Sequence, residues 1–206
     1  MNISIQKIEP FRLGNSEEMV QGIVSVYRQA FGGEPWNEGY VCPVCGDAFP
    51  LTQADVACPS CAARGESVLL VEYWPTSKVM SDFYREMKKP EALCLVARND
   101  DGKVVGFIWG YKVVVDDHID DYLEAPGLSR LISGEFFYLD DAAVLPEYQR
   151  KGIGKNLIAH MLRIQPGKDI LARTLDRSRM FRILTDFCGE TVLRITRNRV
   201  IMAISS

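Results

Sequence analysis

The sequence predicts an α+β fold, a mixed α/β single domain carrying a small inserted module. Two observations carry this expectation. Strand-like and helix-like segments follow one another as strand, helix, insertion, helix, a run of strands, helix, strand, helix and strands, an order that buries a sheet under helices. Residues 33–68, in contrast, are rich in Gly, Pro and Cys without regular periodicity. That stretch is too long for an ordinary loop and reads as a unit of its own. At 206 residues the chain has enough apolar material for a proper core.

Residues 3–13, "ISIQKIEPFRL", alternate as a first strand, with Pro10 limiting its central hydrogen bonding. Residues 16–31 place Met19, Val20, Ile23, Val24, Val26 and Tyr27 at helical spacing. Ser16 would be the N-cap, acids fill the first turn, and Gly32 and Gly33 provide the stop. Beyond the insertion, residues 76–89 are expected to form a second helix stopped by Pro90. "EALCLVARN", the turn "DDGK" and "VVGFIWGYKVVV" read as a hairpin. Residues 116–134 are acidic and poorly periodic, and read as a loop. "EFFYLDDAAVL" is a strand, followed by a helix with Ile153, Leu157, Ile158, Met161 and Leu162 on one face. "DILARTL" is a strand, residues 178–188 a helix ended by Gly189, and "TVLRITRNRVIMAIS" a hairpin turning near Arg197 and Asn198.

Composition narrows the setting. The chain lacks the run of about 20 apolar residues that a membrane helix needs, so no membrane association is expected. "MNISIQKIEP" lacks the basic-then-apolar profile of a secretory signal. The six cysteines therefore belong in a reducing cytoplasm, where disulfides are not expected. The net charge of −3 hides an asymmetry: from Leu145 onward there are 12 Lys+Arg against 5 Asp+Glu, and before it 12 against 22. The basic part suits a polyanionic ligand and the acidic part a cationic one.

Four of the cysteines form a pattern. Cys42 and Cys45, then Cys58 and Cys61, make two CxxC knuckles with twelve residues between them. Each knuckle turns two thiolates toward one ion, and two knuckles complete a tetrahedral shell for zinc. Four protein ligands leave no position for a catalytic water, so the zinc would be structural. Nucleic acid is disfavoured as its partner, because "AARGESVLL" offers one Arg and no aromatic-basic interleaving. Cys94 and Cys188 are expected to be buried small hydrophobes, and His118 and His160 ordinary surface residues.

Functional chemistry centres on "VLPEYQRKGIGKNLI". A Walker loop would need GxxxxGK followed by Ser or Thr, and Asn156 stands there. A Rossmann fingerprint would need a third glycine where Leu157 stands. The spacing present is Gln149, two residues, Gly152, one residue, Gly154. Glycines at 152 and 154 let backbone N–H groups turn toward a ligand without a Cβ in the way, and the helix that follows adds its positive end. This is an anion nest, to which Arg150, Lys151 and Lys155 add charge.

With this spacing the sequence resembles the GNAT family of N-acetyltransferases, whose signature is Gln or Arg, x, x, Gly, x, Gly or Ala. The lead-in resembles the family's "VxPxYRxxGIGxxLL", "EPWNEGY" resembles a further family segment, and the order of elements agrees. The resemblance implies a central mixed β-sheet flanked by helices over residues 1–206; residues 40–68 fall outside the family pattern, as an inserted zinc-ribbon-like module expected to pack near the acceptor side. It implies that acetyl-CoA binds through Ala142, Val144, Gln149, Arg150, Lys151, Gly152, Ile153, Gly154, Lys155 and Ser178, its pantetheine arm along the strand end. A backbone N–H near Val144 would stabilise the oxyanion.

Attack by an amine requires removal of a proton. Asp141, then Asp140, then Glu135 are the candidate bases, in that order, because Asp140 and Asp141 stand inside an apolar strand where an unpaired charge is costly. Successive side chains of a strand face opposite ways, so only one of the two should reach the acceptor unless a bulge intervenes. The family often places an acidic tyrosine four residues before the glycine closing the last helix; the poor acid Thr185 stands at that position here, so water or Ser178, which stands where Asn is common, would substitute, or the thiolate would leave unaided. The expected activity is transfer of acetyl from acetyl-CoA directly to an amine, of a small molecule or a peptide. The alternative is an acyl-CoA-sensing regulatory or scaffold protein that binds a partner through its zinc ribbon. The oligomeric state is left open, a homodimer included.

Overall fold

A computed structural model of the chain describes residues 2–8, 16–53, 56–116 and 118–205, without the side chain of Ser16. The expectations for Pro10 and for Ser16 as N-cap fall outside the described residues. Strand β1 (Ser4–Ile8) is followed by helix α1 (Ser16–Phe31), whose Val20, Ile23, Val24, Val26, Tyr27 and Phe31 are buried as one apolar stripe. Then come α3 (Thr76–Glu86), β5 (Leu93–Arg98), β6 (Val104–Val115), β7 (Gly134–Val144), α5 (Ile153–Ile164), β8 (Ile170–Leu175), α6 (Arg179–Asp186), β9 (Glu190–Arg194) and β10 (Arg199–Ile204). The short elements α2 and β2 to β4 belong to the insertion described below.

Seven strands form one sheet in the order β1-β5-β6-β7-β8-β10-β9. β7 and β8 pair in parallel and the other neighbours are antiparallel. β5 is buried along almost its whole length, as a strand covered on both faces should be: α1 and α5 both pack on the sheet. α5 contributes Ile153, Leu157, Ile158 and Met161 to the core.

Two irregularities position the site. The parallel ladder joins only Phe137–Leu139 to Ile170–Ala172, after which β7 and β8 continue without pairing and a gap opens between them. In the same place β7 carries a bulge. Trp109 stands opposite Asp141 and Gly110 opposite Leu139, which leaves Asp140 as the extra residue. Gly110 is where this can happen, because a Cβ there would lie 2.3 Å from the carbonyl oxygen of Tyr138.

Residues 116–134 are more than a loop. They contain a helical turn, α4 (Ile119–Tyr122), and a 3-10 turn at Leu128–Arg130. Ile119, Leu123, Ala125 and Leu128 form a second core with Tyr111, Val113, Phe136 and Tyr138. Their wide spacing in an acidic stretch hides them from a periodicity reading. Among the described residues no helix is long and apolar enough to cross a membrane.

The insertion is a small three-stranded sheet of order β3-β2-β4, built from β2 (Tyr40–Val41), β3 (Ala48–Phe49) and β4 (Val71–Glu72), with a helical turn α2 (Pro59–Ala62). It runs to Glu72, past the expected boundary at residue 68. Its root is tied to the end of α1: Leu51 N donates to Gly32 O at 2.8 Å, Gly39 N to Phe49 O at 2.9 Å and Tyr73 N to Gly39 O at 3.1 Å.

Candidate active site

A cavity of about 410 Å³ fills the gap between β7 and β8. One end is the turn before α5. Pro146–Tyr148 form a 3-10 turn, Arg150 and Gly152 take left-handed backbone angles with φ of 62° and 80°, and α5 starts at Ile153. The early N–H groups of a helix have no intrahelical acceptor, and these open toward the cavity with the helix's positive end. Gly152, Ile153, Gly154 and Lys155 all line it. Gln149 closes the loop on the strand, its Nε2 donating to Val144 O at 3.0 Å.

Cations ring this end. Arg150, Lys155, Arg179 and Arg182 line the cavity, and Lys155 is 3.0 Å from Asp186. Lys151 does not line it; its ammonium lies over the Tyr148 ring at 4.8 Å. Ser178 lines the wall but its hydroxyl is engaged: it caps α6 by accepting from Phe181 N at 3.1 Å and is 2.8 Å from the Thr174 hydroxyl. Ala142, Ala143 and Val144 form the intervening strand wall.

The other end is acidic and aromatic. The bulge puts Asp140 and Asp141 on the same wall, facing Phe31, Glu34 and Trp36 from the end of α1 and the loop after it, with Arg173 from β8 nearby. Trp109 Nε1 donates to Asp140 Oδ2 at 3.2 Å. Burial at the cavity floor, with Glu86 as a like charge, pushes the Asp140 carboxyl up to about 6, against the opposing pull of Trp109, Lys89 and Arg173. Asp141 is also raised well above the usual carboxylate value, by burial first and then by Asp140 and Glu38. Both residues keep some surface on the cavity, yet they sit deep enough to be poorly solvated. Glu38 is also raised by burial, against the hydrogen bond that it accepts from Trp74 Nε1 at 3.0 Å.

Two expected site residues lie elsewhere. Glu135 sits at the exposed start of β7, paired to Lys112 at 2.7 Å. Thr185 is exposed on α6, its hydroxyl donating to Phe181 O at 2.9 Å. Cys94 is buried as expected, but Cys188 is exposed, at a left-handed turn after α6. His118 is exposed, and the His160 ring lies 3.0 Å from Asn156 O. Glu34 and Trp36 belong to the family-like segment "EPWNEGY" without being singled out in it, and Arg173, Arg179 and Arg182 show in the sequence only through the basic count after Leu145.

In the insertion, the Sγ atoms of Cys42, Cys45, Cys58 and Cys61 all lie within 4.8 Å of one another. Cys42 to Cys61 and Cys45 to Cys58 are both 3.6 Å. A tetrahedral zinc with Zn–S near 2.3 Å separates its sulfurs by about 3.8 Å, so the four side chains could hold one ion. Three are fully buried, and Arg64 Nη2 approaches Cys61 Sγ at 3.3 Å.

The acetyltransferase (GNAT) family model matches residues 63–176. That is more than half of the chain, which therefore belongs to this family. No curated protein matches it in sequence. Solved structures of the same fold include the protein PH1933 of Pyrococcus horikoshii OT3, at 16% identity and TM-score 0.60, covering 100% of this chain and 99% of that one. The PaiA N-acetyltransferase of Thermoplasma acidophilum, solved in complex with coenzyme A, matches at 15% identity and TM-score 0.56 over 100% of both chains. Arylalkylamine N-acetyltransferase 2 of Aedes aegypti matches at 11% identity and TM-score 0.57, covering 100% and 99%.

Proposed function

We propose that this chain is an acyl-CoA-dependent N-acyltransferase that passes acetyl from acetyl-CoA directly to an amine. One observation carries the reading: a single cavity joins a glycine turn at a helix N-terminus, ringed by cations, to a pair of poorly solvated carboxyls. The first end suits the phosphates of coenzyme A, and the second suits removal of a proton from an amine. The Thermoplasma relative, solved with coenzyme A, lends support to the first half.

In this reading the N–H groups of residues 152–155 hold the pyrophosphate, with Arg150, Lys155, Arg179 and Arg182 adding charge. Ala142, Ala143 and Val144 flank the pantetheine arm. Bound acetyl-CoA supplies an activated acyl group as its thioester. Phe31, Glu34 and Trp36 receive the acceptor, whose positive charge meets the acidic wall; a cationic small molecule or a peptide amine fits that chemistry. The carboxyl pair of Asp140 and Asp141 supplies the base that takes its proton.

The whole chain is then one acyltransferase domain, with the cysteine module as an insertion that braces the acceptor side through its bonds to Gly32 and Gly39. Cys42, Cys45, Cys58 and Cys61 hold a structural zinc, and such thiolate ligation suits a reducing, cytoplasmic setting.

Thiol release from acetyl-CoA over a panel of primary amines tests the activity. Release that depends on one class of amine supports it. Cofactor binding with no release on any amine would favour an acyl-CoA sensor instead, a reading to which the position of Thr185 outside the cavity gives some weight.

A further inference from the structure

An acyl transfer needs two proton movements, one from the amine and one to the departing thiolate. The cavity wall is short of groups for the second. Thr185 is outside it and spends its hydroxyl hydrogen on Phe181 O. The Ser178 hydroxyl is held by Thr174 and Phe181 N, and Tyr148, whose hydroxyl accepts from Asn99 Nδ2 at 3.1 Å and keeps its own hydrogen, stands in the turn before α5 rather than on the strand wall. Glu34 lies on the opposite rim and accepts from Asn37 Nδ2 at 3.0 Å. What remains beside the strand wall is the carboxyl pair.

We propose that Asp140 and Asp141 work as one acid–base pair, Asp140 taking the proton from the acceptor nitrogen and Asp141 giving one to the departing sulfur. The inference rests on the acyltransferase reading and assigns the acid that α6 lacks. Its geometric basis is the bulge, since a regular β7 would turn these neighbours to opposite faces. With one extra residue between Trp109↔Asp141 and Gly110↔Leu139, both line the cavity.

The surroundings divide the roles. Asp140 accepts from Trp109 Nε1, a bond that favours its ionised form, and Lys89 after α3 and Arg173 of β8 act in the same direction. Asp141 faces Asp140 and Glu38, both of which favour its neutral form, as does Glu86 of α3, while Arg173 opposes them. Tyr27 of α1 and Tyr138 of β7 stand nearby, their phenols held neutral by burial and by these same carboxylates. Asp140 acts as a like charge on Asp141, so ionisation of one disfavours ionisation of the other.

The step balances. The amine nitrogen forms the bond to the thioester carbon and the carbon–sulfur bond breaks. The nitrogen's proton goes to Asp140 and the Asp141 proton to the sulfur, so that amide and thiol leave. The pair still holds one proton, now on Asp140, and its transfer back to Asp141 resets the site. An acceptor arriving as an ammonium ion first gives its extra proton to water.

The full chain is tested in two ways. Carbon-13 NMR of aspartate carboxyls, assigned with Asp140→Asn and Asp141→Asn, should show one ionised and one protonated carboxyl at neutral pH. With acetyl-CoA and spermidine or tyramine as probe amines, each single variant should bind coenzyme A with unchanged affinity and lose about 100-fold or more in kcat. The bell-shaped pH profile of the parent should lose its acidic limb in Asp140→Asn and its alkaline limb in Asp141→Asn. Two ionised carboxyls at neutral pH, or undiminished turnover by Asp141→Asn, would overturn the pair while leaving a lone base at Asp140. Failure of the unaltered chain to bind coenzyme A would instead remove the acyltransferase reading beneath it.

Discussion

The indole N–H of Trp109 donates to Asp140 at 3.2 Å, although the residue directly across the sheet from Trp109 is Asp141. A regular strand would turn Asp140 away from that indole. The bulge therefore does more than bend β7. It sets two acids on one wall and gives one of them a hydrogen-bond donor that the other lacks. In the acid–base pair proposed above, the Trp109 bond favours Asp140 as the ionised member, whereas the sequence alone puts Asp141 first as base.

Gly110→Ala should damage stability and turnover together. A Cβ at this position would meet the Tyr138 carbonyl at 2.3 Å and the Phe137 ring at 2.6 Å. Relieving that overlap requires a backbone shift costing about 1–3 kcal/mol. Urea denaturation should show a lower midpoint with an unchanged slope, and thiol release should fall. An unchanged midpoint would mean that the bulge adapts freely.

Gly152→Val should separate binding from folding. The added side chain meets nothing within 4 Å, but φ at 80° is strained for a branched residue, by roughly 1–2 kcal/mol. The chain should stay folded by circular dichroism while its affinity for coenzyme A falls at least about 10-fold, because a loss of 1.4 kcal/mol already accounts for that factor. Unchanged affinity would make the loop only a turn.

The legible parts of this molecule were those whose chemistry is local. Gln149, Gly152 and Gly154 lie within one turn and the helix after it, and the four cysteines repeat a spacing that brings their Sγ atoms within 4.8 Å of one another, so both clusters stand out in the sequence. The bulge depends on Gly110 meeting Leu139 across two strands, and it was legible only as a condition on the two acids. Glu34 and Trp36 reach the cavity from the segment "EPWNEGY", which is legible as a segment but not residue by residue, and nothing in their neighbours marks Arg173, Arg179 and Arg182. Glu135 and Thr185 do not line the cavity, for the complementary reason. Their positions were read along the chain, while Lys112 and Phe181 O hold them outside the cavity.

One zinc per chain should be found by elemental analysis, bound by Cys42, Cys45, Cys58 and Cys61. Removing it with a chelator should expose the module's backbone amides to hydrogen exchange, most of all those at Gly39, Leu51 and Tyr73 that anchor its root. A metal-free chain with undiminished protection there would defeat the assignment.

Stability should carry the signature of the acid pair. Asp140 is raised in the fold from an ordinary 3.8 to about 6, so between these values the folded chain binds more protons than the unfolded one. The contribution of this group is then fully present below 3.8 and is lost as pH rises through about 6. In Asp140→Asn that loss should disappear, which a comparison of urea midpoints across the interval would reveal. Parallel pH dependence in parent and variant would place the pair in water.

Calorimetric titration of the purified chain with acetyl-CoA bears most directly on the central claim, that this cavity holds a coenzyme A thioester by the turn before α5. The account predicts one-to-one binding that weakens with added salt, since Arg150, Lys155, Arg179 and Arg182 line that end. It also predicts loss of that binding in Gly152→Val. Absence of binding to the unaltered chain, or binding of equal strength in the variant, would contradict it.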